Sequence, residues 1–180
     1  MEFNREWAMP NKNTFSILPI KKLIKRYIAG KKTPIDPFCN NSIFKDICVT
    51  NDLDPEVKAD YNMDALDFFG LFASGYSDLI LYDPPYSARQ VSEVYKKMSM
   101  SVNMETTQAS YWSNQKKEIA RIMKKDGIVI SFGWNSGGIG KVLGFEIIEI
   151  LLVPHGGHHN DTIVTVERKV GKESIFYENL

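Results

Sequence analysis

Leu79-Ile80-Leu81-Tyr82-Asp83-Pro84-Pro85-Tyr86 decides how this chain is read. Residues 79–82 form a continuous apolar run of strand length. The two prolines that follow cannot extend it, because proline donates no backbone hydrogen bond and its ring sets φ. Asp83 therefore stands at the C-terminal end of a predicted buried strand, which is where open α/β sheets bind ligands. The turn offers acceptors, the Asp83 carboxylate and the Pro84 carbonyl, and no N–H from either proline. It suits a group that presents –NH2, and the ring of Tyr86 suits a flat partner. On these residues alone the turn reads as a pocket for a nucleobase with an exocyclic amine. At average residue usage, Asp-Pro-Pro-Tyr arises by chance in a chain of this length about one time in a thousand, which disfavours an ordinary Pro-rich loop.

The rest of the chain narrows the class. Its 180 residues carry 22 Lys and Arg against 22 Asp and Glu, a net charge of zero, so a globally basic nucleic-acid binder is excluded and any grip on phosphates must be local. The length fits one domain, residues 1–180. Cys39 and Cys48 have neither metal-ligand spacing nor a partner framework, which fits a reducing compartment. Glu2, Arg5 and Glu6 interrupt any apolar leader, and Glu146 and Glu149 break the greasiest run. The expectation is a cytoplasmic protein, of a bacterium or a phage-infected host, with no membrane span.

Helical and strand patterns alternate, which predicts an α/β fold with a mostly parallel sheet and helices on both faces. Ile20, Leu23, Ile24, Tyr27 and Ile28 recur at helical spacing opposite Lys21, Lys22, Lys25 and Arg26. Strands are predicted at 33–36, 47–50, 77–82, 128–132, 145–153 and 162–168, with a helical turn at 54–56 and helices at 89–97 and 113–125. The second of these helices is expected to close at Asp126-Gly127. Residues 98–111, polar and without period, read as a loop or lid. Residues 154–161 connect the last two strands as an antiparallel pair.

Asp83-Pro84-Pro85-Tyr86 is identical to the DPPY motif of the amino-methyltransferases that modify adenine N6 in DNA. Ile35-Asp36-Pro37-Phe38-Cys39 resembles that family's DPF motif, Asn51-Asp52-Leu53 its ribose-binding acidic turn, and Asp64-Ala65-Leu66 its adenine-contacting turn. The lead-in Arg5-Glu6-Trp7-Ala8-Met9-Pro10 with Thr14-Phe15, and the later Gly133-Trp134-Asn135-Ser136 and His155-Gly156-Gly157-His158, look like small phage and bacterial members. The resemblance implies a Rossmann-like class I methyltransferase, with a seven-stranded, mostly parallel sheet in which one antiparallel strand ends the order. It implies S-adenosyl-L-methionine as cofactor, held by Thr14, Asp36, Pro37, Phe38, Asp52, Leu53, Asp64, Ala65 and Asp83. The catalytic turn is Asp83, Pro84, Pro85 and Tyr86, acting on a flipped adenine. Asn40 and Asn41 stand where the family commonly has glycine; asparagine is the next most tolerant residue of a left-handed backbone.

DNA is the expected partner, with Ser87, Arg89, Trp134, Lys21 and Lys25 as candidate contacts, Trp134 serving either as a pocket wall or as a closure of the core. His155, His158 and His159 with Asp161 match no standard metal set and read as a loop touching DNA or solvent, so no metal is expected. No separate target-recognition domain is expected, which leaves sequence choice to the 98–111 loop, the histidine loop, a dimer mate or another subunit. Methylation of an RNA base or a protein amide, or an inactive nucleic-acid-binding partner subunit, stand as alternatives.

Overall fold

The run Leu79-Ile80-Leu81 is wholly buried because helices cover both sides of its strand, and this explains why it is continuous rather than alternating. The computed structural model describes residues 1–85 and 109–171. In it, seven strands form one sheet: β1 (Glu2–Arg5), β2 (Pro34–Asp36), β3 (Val49–Thr50), β4 (Ser77–Tyr82), β5 (Met123–Gly133), β6 (Phe145–Val153) and β7 (Thr162–Lys169). Their spatial order is β1-β6-β7-β5-β4-β2-β3. Every pairing is parallel except the two made by β7. The expected mostly parallel, seven-stranded sheet with one antiparallel strand is thus present, but that strand lies inside the order rather than ending it. β6 and β1 continue beyond β7, because the β6–β7 hairpin inserts β7 against β5.

Helix α1 (Leu18–Ile28) covers one face, with Pro19 in its first turn where a missing N–H costs nothing. Ile20, Leu23, Ile24 and Ile28 pack on Leu79, Leu81, Ile130, Leu151, Val153, Val164 and Val166. Each such side chain contributes about 1.5–3 kcal/mol when fully buried. Helices α2 (Ala65–Gly70) and α3 (Ala109–Ile122) cover the other face, where Phe68, Phe69, Ile119 and Ile122 meet Ile35, Ile80 and Val129.

Three expectations are corrected. The N-terminal residues form β1, paired with β6 from Glu2↔Glu149 to Arg5↔Leu152. The helix expected at 113–125 starts at Ala109 and stops at Ile122, so it takes in the last three residues of the predicted loop. Asp126-Gly127 is not its cap: Asp126 adopts φ 61° inside β5, in an excursion that shifts the register against β4 between Ser77 and Leu79. The turn expected at 54–56 is present after β3, closed by the Val57 N–H on the Asp54 carbonyl at 3.0 Å. The helix at 89–97, most of the 98–111 loop and the tail from 172 fall outside the described residues.

Candidate active site

Because β2, β4 and β5 run parallel, their carboxyl ends meet on one rim, and the chain leaves them as Asp36-Pro37-Phe38, Asp83-Pro84-Pro85 and Gly133-Trp134-Asn135. A shallow trough of about 270 Å³ up to its open mouth lies there, between residues 12–15, residues 38–42 and Asp83. Thr14 and Phe38 are among its walls.

Asp36 is fully buried, and neither carboxylate oxygen has a hydrogen-bond partner. Burial pushes its pKa up to about 7. The nearby Asp83 charge adds to the shift, while the Ser42 hydroxyl and the Phe38 N–H oppose it without reaching regular hydrogen-bond geometry. A buried carboxylate without a partner is costly unless a cation meets it. Asp36 is not itself among the walls of the trough, whose acidic wall residue is Asp83; its unmet carboxylate behind that wall would suit a ligand that brings an ammonium group, as S-adenosylmethionine does.

The loop after β2 is held by Asn51, which is buried and satisfied on every side. Its side-chain amide donates to the carbonyls of Pro37 (3.2 Å) and Met63 (3.1 Å), and its oxygen accepts from the Met63 N–H (3.2 Å). Asn40 has φ 38°, so an asparagine does occupy a left-handed position in this loop, and its N–H donates to Asp52 Oδ2 at 2.8 Å. The other Asp52 oxygen accepts from the Asp54 N–H at 2.9 Å. Asp52 thus touches the trough through Asn40, whereas Asp36, Pro37, Leu53, Asp64 and Ala65 do not line it. Asp64 caps α2, accepting from the Leu66 N–H at 2.8 Å, and Ala65 is the first residue of that helix.

On the other side of the Pro84-Pro85 turn lies a wider cleft, about 710 Å³ up to its mouth. Tyr82, Pro84 and Pro85 form one side, Trp112 and Lys116 of α3 another, and residues 131–135 with Gly138 the third. The Trp112 indole N–H donates to the Pro85 carbonyl at 3.3 Å and so ties α3 to the turn. Trp134 is 46% exposed and lines this cleft, so it is a wall and not a closure of the core. Beneath the cleft, Glu167 is buried with its pKa raised by that burial, and it accepts from the N–H groups of Ile139 (2.6 Å) and Gly140 (2.9 Å).

Other expected contacts separate from this rim. Lys21 and Lys25 lie one and two turns down α1, and neither lines the trough or the cleft. Tyr86, Ser87 and Arg89 fall outside the described residues. His155, expected in a loop facing solvent or DNA, is buried instead: its ring nitrogens meet the Ala8 carbonyl (2.8 Å) and the Thr162 hydroxyl (2.9 Å), pinning the N-terminal segment to the β6–β7 hairpin. His158 and His159 are exposed. Among the described residues no group of His, Cys, Asp and Glu could hold a metal ion, and no helix is long and apolar enough to cross a membrane. Sequence reading missed Asn51 as the residue that holds the loops, and it missed Gln115 and Ser131 below the wider cleft; only their polar character in apolar surroundings signalled them.

No protein-family model and no curated protein matches the chain. Solved structures do. A SAM-dependent methyltransferase from Archaeoglobus fulgidus superposes with a TM-score of 0.58 at 10% identity, covering 84% of this chain and 94% of that one. N-methyltransferase NodS from Bradyrhizobium japonicum WM9 gives 0.58 at 9% identity, over 90% and 100%. The 1,6-didemethyltoxoflavin-N1-methyltransferase of Burkholderia thailandensis, solved with bound 1,6-didemethyltoxoflavin and S-adenosylhomocysteine, gives 0.57 at 10% identity, over 85% and 77%. The chain has the Rossmann-like class I methyltransferase fold.

Proposed function

We propose that this chain transfers a methyl group from S-adenosylmethionine to the N6 amine of adenine in DNA. The observation that carries the reading is the buried, unpartnered Asp36 carboxylate next to Asp83, at the rim where the Asp83-Pro84-Pro85 turn divides a trough from a wider cleft. The trough fits the cofactor, with Asp36 meeting its ammonium group and Asp52 and Asp64 remaining the candidates for its ribose and adenine. Bound there, S-adenosylmethionine supplies an electrophilic methyl group on a sulfonium.

The chain's own residues do the rest. An adenine N6 lone pair is delocalised into the ring and must leave conjugation before it attacks. The Asp83 carboxylate and the Pro84 carbonyl accept the two N–H bonds and turn the lone pair out of the ring plane. As positive charge builds on N6, the carboxylate stabilises it, an effect worth about 3–4 kcal/mol for one preorganised contact. Tyr86 and Trp134 supply flat surfaces for the base, and base–aromatic stacking of about 1–3 kcal/mol offsets the few kcal/mol needed to extrude it. Arg89 and Ser87 follow the turn and are the candidates for the neighbouring phosphate; Lys21 and Lys25 are weaker ones, given their place down α1.

The test is labelled methyl transfer offered in parallel to DNA, RNA, protein and free nitrogen heterocycles. Label on DNA that digests to N6-methyladenine is the expected result. Label on RNA, protein or a small heterocycle would keep the chemistry and change the substrate, and no transfer to any of them would favour the inactive partner subunit.

A further inference from the structure

Tyr82, Ser131 and Thr165 are register partners on β4, β5 and β7, so their side chains form one row across the same face of the sheet. The next row, Ile80 and Val129, is apolar until it reaches Glu167. Helix α3 lies over the polar row, and Gln115, fully buried, accepts the Tyr82 hydroxyl on Oε1 at 2.8 Å. That bond orients the carboxamide and leaves Nε2 as a donor. Gln115 Nε2, Ser131 Oγ and Thr165 Oγ1 are all buried and without a partner. Three orphaned polar atoms around one short row are unusual, since each costs about 1–3 kcal/mol when left unmet.

Their position gives them a use. Tyr82 and Ser131 line the floor of the wider cleft, Ser131 being only 8% exposed, with Gln115 behind Tyr82 and outside the lining; the walls above them include the rings of Pro84, Pro85, Trp112 and Trp134, beside Lys116 and Asn135. Water alone could satisfy such a floor, but it makes no use of walls built from indole and proline rings. A planar heterocycle does, and its ring edge carries the acceptors that a hydroxyl and a carboxamide N–H would meet.

We propose that the cleft is the nucleobase subsite and that Ser131 Oγ and Gln115 Nε2 select the base by donating to its ring-nitrogen acceptors. Adenine presents acceptors at N1 and N7 beside its 6-amino group, whereas guanine presents an N1–H donor there, so donors on the floor favour adenine. The inference rests on the reading of the chain as a base methyltransferase and names the atoms that choose the base.

The test pairs changes in the protein with changes in the base. Wild type, Ser131→Ala and Gln115→Met are assayed on one DNA duplex carrying adenine, 1-deazaadenine or 7-deazaadenine at the methylated position. Wild type is expected to lose tenfold or more in kcat/KM on at least one deaza base. The variants are expected to lose as much on adenine and to show little further loss on that same deaza base. Ser131→Ala should also unfold at the same temperature as wild type or higher, because it removes an unmet buried hydroxyl, whereas a purely structural serine would lower it. Losses that simply multiply for both variants on both deaza bases, or a wild type indifferent to the deaza bases, would overturn the subsite. Absence of transfer by wild type to any adenine-containing DNA would instead overturn the proposed function from which it proceeds. Should Gln115→Met fail to fold, Ser131→Ala decides alone.

Discussion

The carboxylates of Asp36 and Asp83 are electrostatically coupled across the adjacent strands β2 and β4, and the deeper of the two, Asp36, has its pKa raised to about 7, by burial first and by its neighbour's charge in addition. An acid whose folded pKa is raised above its ordinary 3.8 holds its proton in the native state over a range where the unfolded chain has lost it. Its linkage to stability therefore runs downward: the ligand-free protein loses stability as pH rises from about 4 to about 7. A ligand bringing an ammonium group needs the ionised form, so S-adenosylmethionine affinity should climb as pH passes from 6 to 8. Asp36→Asn should flatten both dependences and weaken binding by ten- to a hundredfold. Calorimetric titration at three pH values, together with urea unfolding, measures this; a wild-type affinity independent of pH would contradict it.

Asp83 directly follows β4 and lines the trough, and the proposed function gives it the electrostatic work of the transfer. Asp83→Ala is expected to lower kcat by about two to three orders of magnitude while S-adenosylmethionine still binds, because the contact it removes acts on charge that develops only in the transition state. Single-turnover transfer of a labelled methyl group, set beside cofactor titration, separates the two quantities. A variant that keeps wild-type kcat would remove the catalytic role from this turn.

Much of this arrangement was legible in the chain, for a physical reason. Strands buried on both faces write themselves as apolar runs, unbroken in residues 79–82 of β4 and in residues 128–130 of β5, and the proline pair after residue 82 marks where one of them must stop; β6 and β7, though interrupted by charged or polar residues, keep enough apolar residues to be read as strands. β1 was not so legible, because all four of its residues, Glu2 to Arg5, are exposed and its only pairing is with a strand more than 140 residues away. The end of α3 was misread because Asp126-Gly127 suits a helix cap and a left-handed excursion in a strand equally well. His155 was read as a loop residue since its neighbours are Gly and His, yet its partners Ala8 and Thr162 come from the N-terminus and the next strand. The unmet Asp36, Ser131 and Gln115 atoms are properties of the assembled fold and leave no local trace.

Asn51 joins the turn after β2 to the turn before α2 through three side-chain hydrogen bonds. Asn51→Ala would strand the Pro37 carbonyl and both polar groups of Met63 in a buried position. The expected loss is about 2–3 kcal/mol, on the scale of unmet buried groups, and cofactor affinity should fall with it because Asn40 and Asp52 lose their anchorage. Urea unfolding gives the first quantity and calorimetry the second; a variant as stable as wild type would show that the loops are held by something else.

Glu149 sits in the middle of an apolar strand and is nearly inaccessible, but its carboxylate accepts from Arg26 (2.8 Å), the Tyr27 hydroxyl (2.7 Å) and Asn4 Nδ2 (3.2 Å). Burial alone would raise its pKa; the bonds from Arg26 and Tyr27 more than offset this and hold it below its ordinary value of 4.5. The same burial and the shared bond push the Tyr27 hydroxyl up to about 12. A depressed acid stabilises the fold above its unfolded pKa and ceases to do so as pH falls through the folded one. Glu149→Gln should therefore cost about 1–3 kcal/mol at pH 7, discounted from a fully buried pair because Arg26 is half exposed, and much less near pH 3. Because the carboxylate joins α1 and β1 to β6, the variant should also raise hydrogen exchange at residues 2–5 ahead of the remainder of the sheet. Equal destabilisation at both pH values would mean that the side chain acts by packing and not by charge.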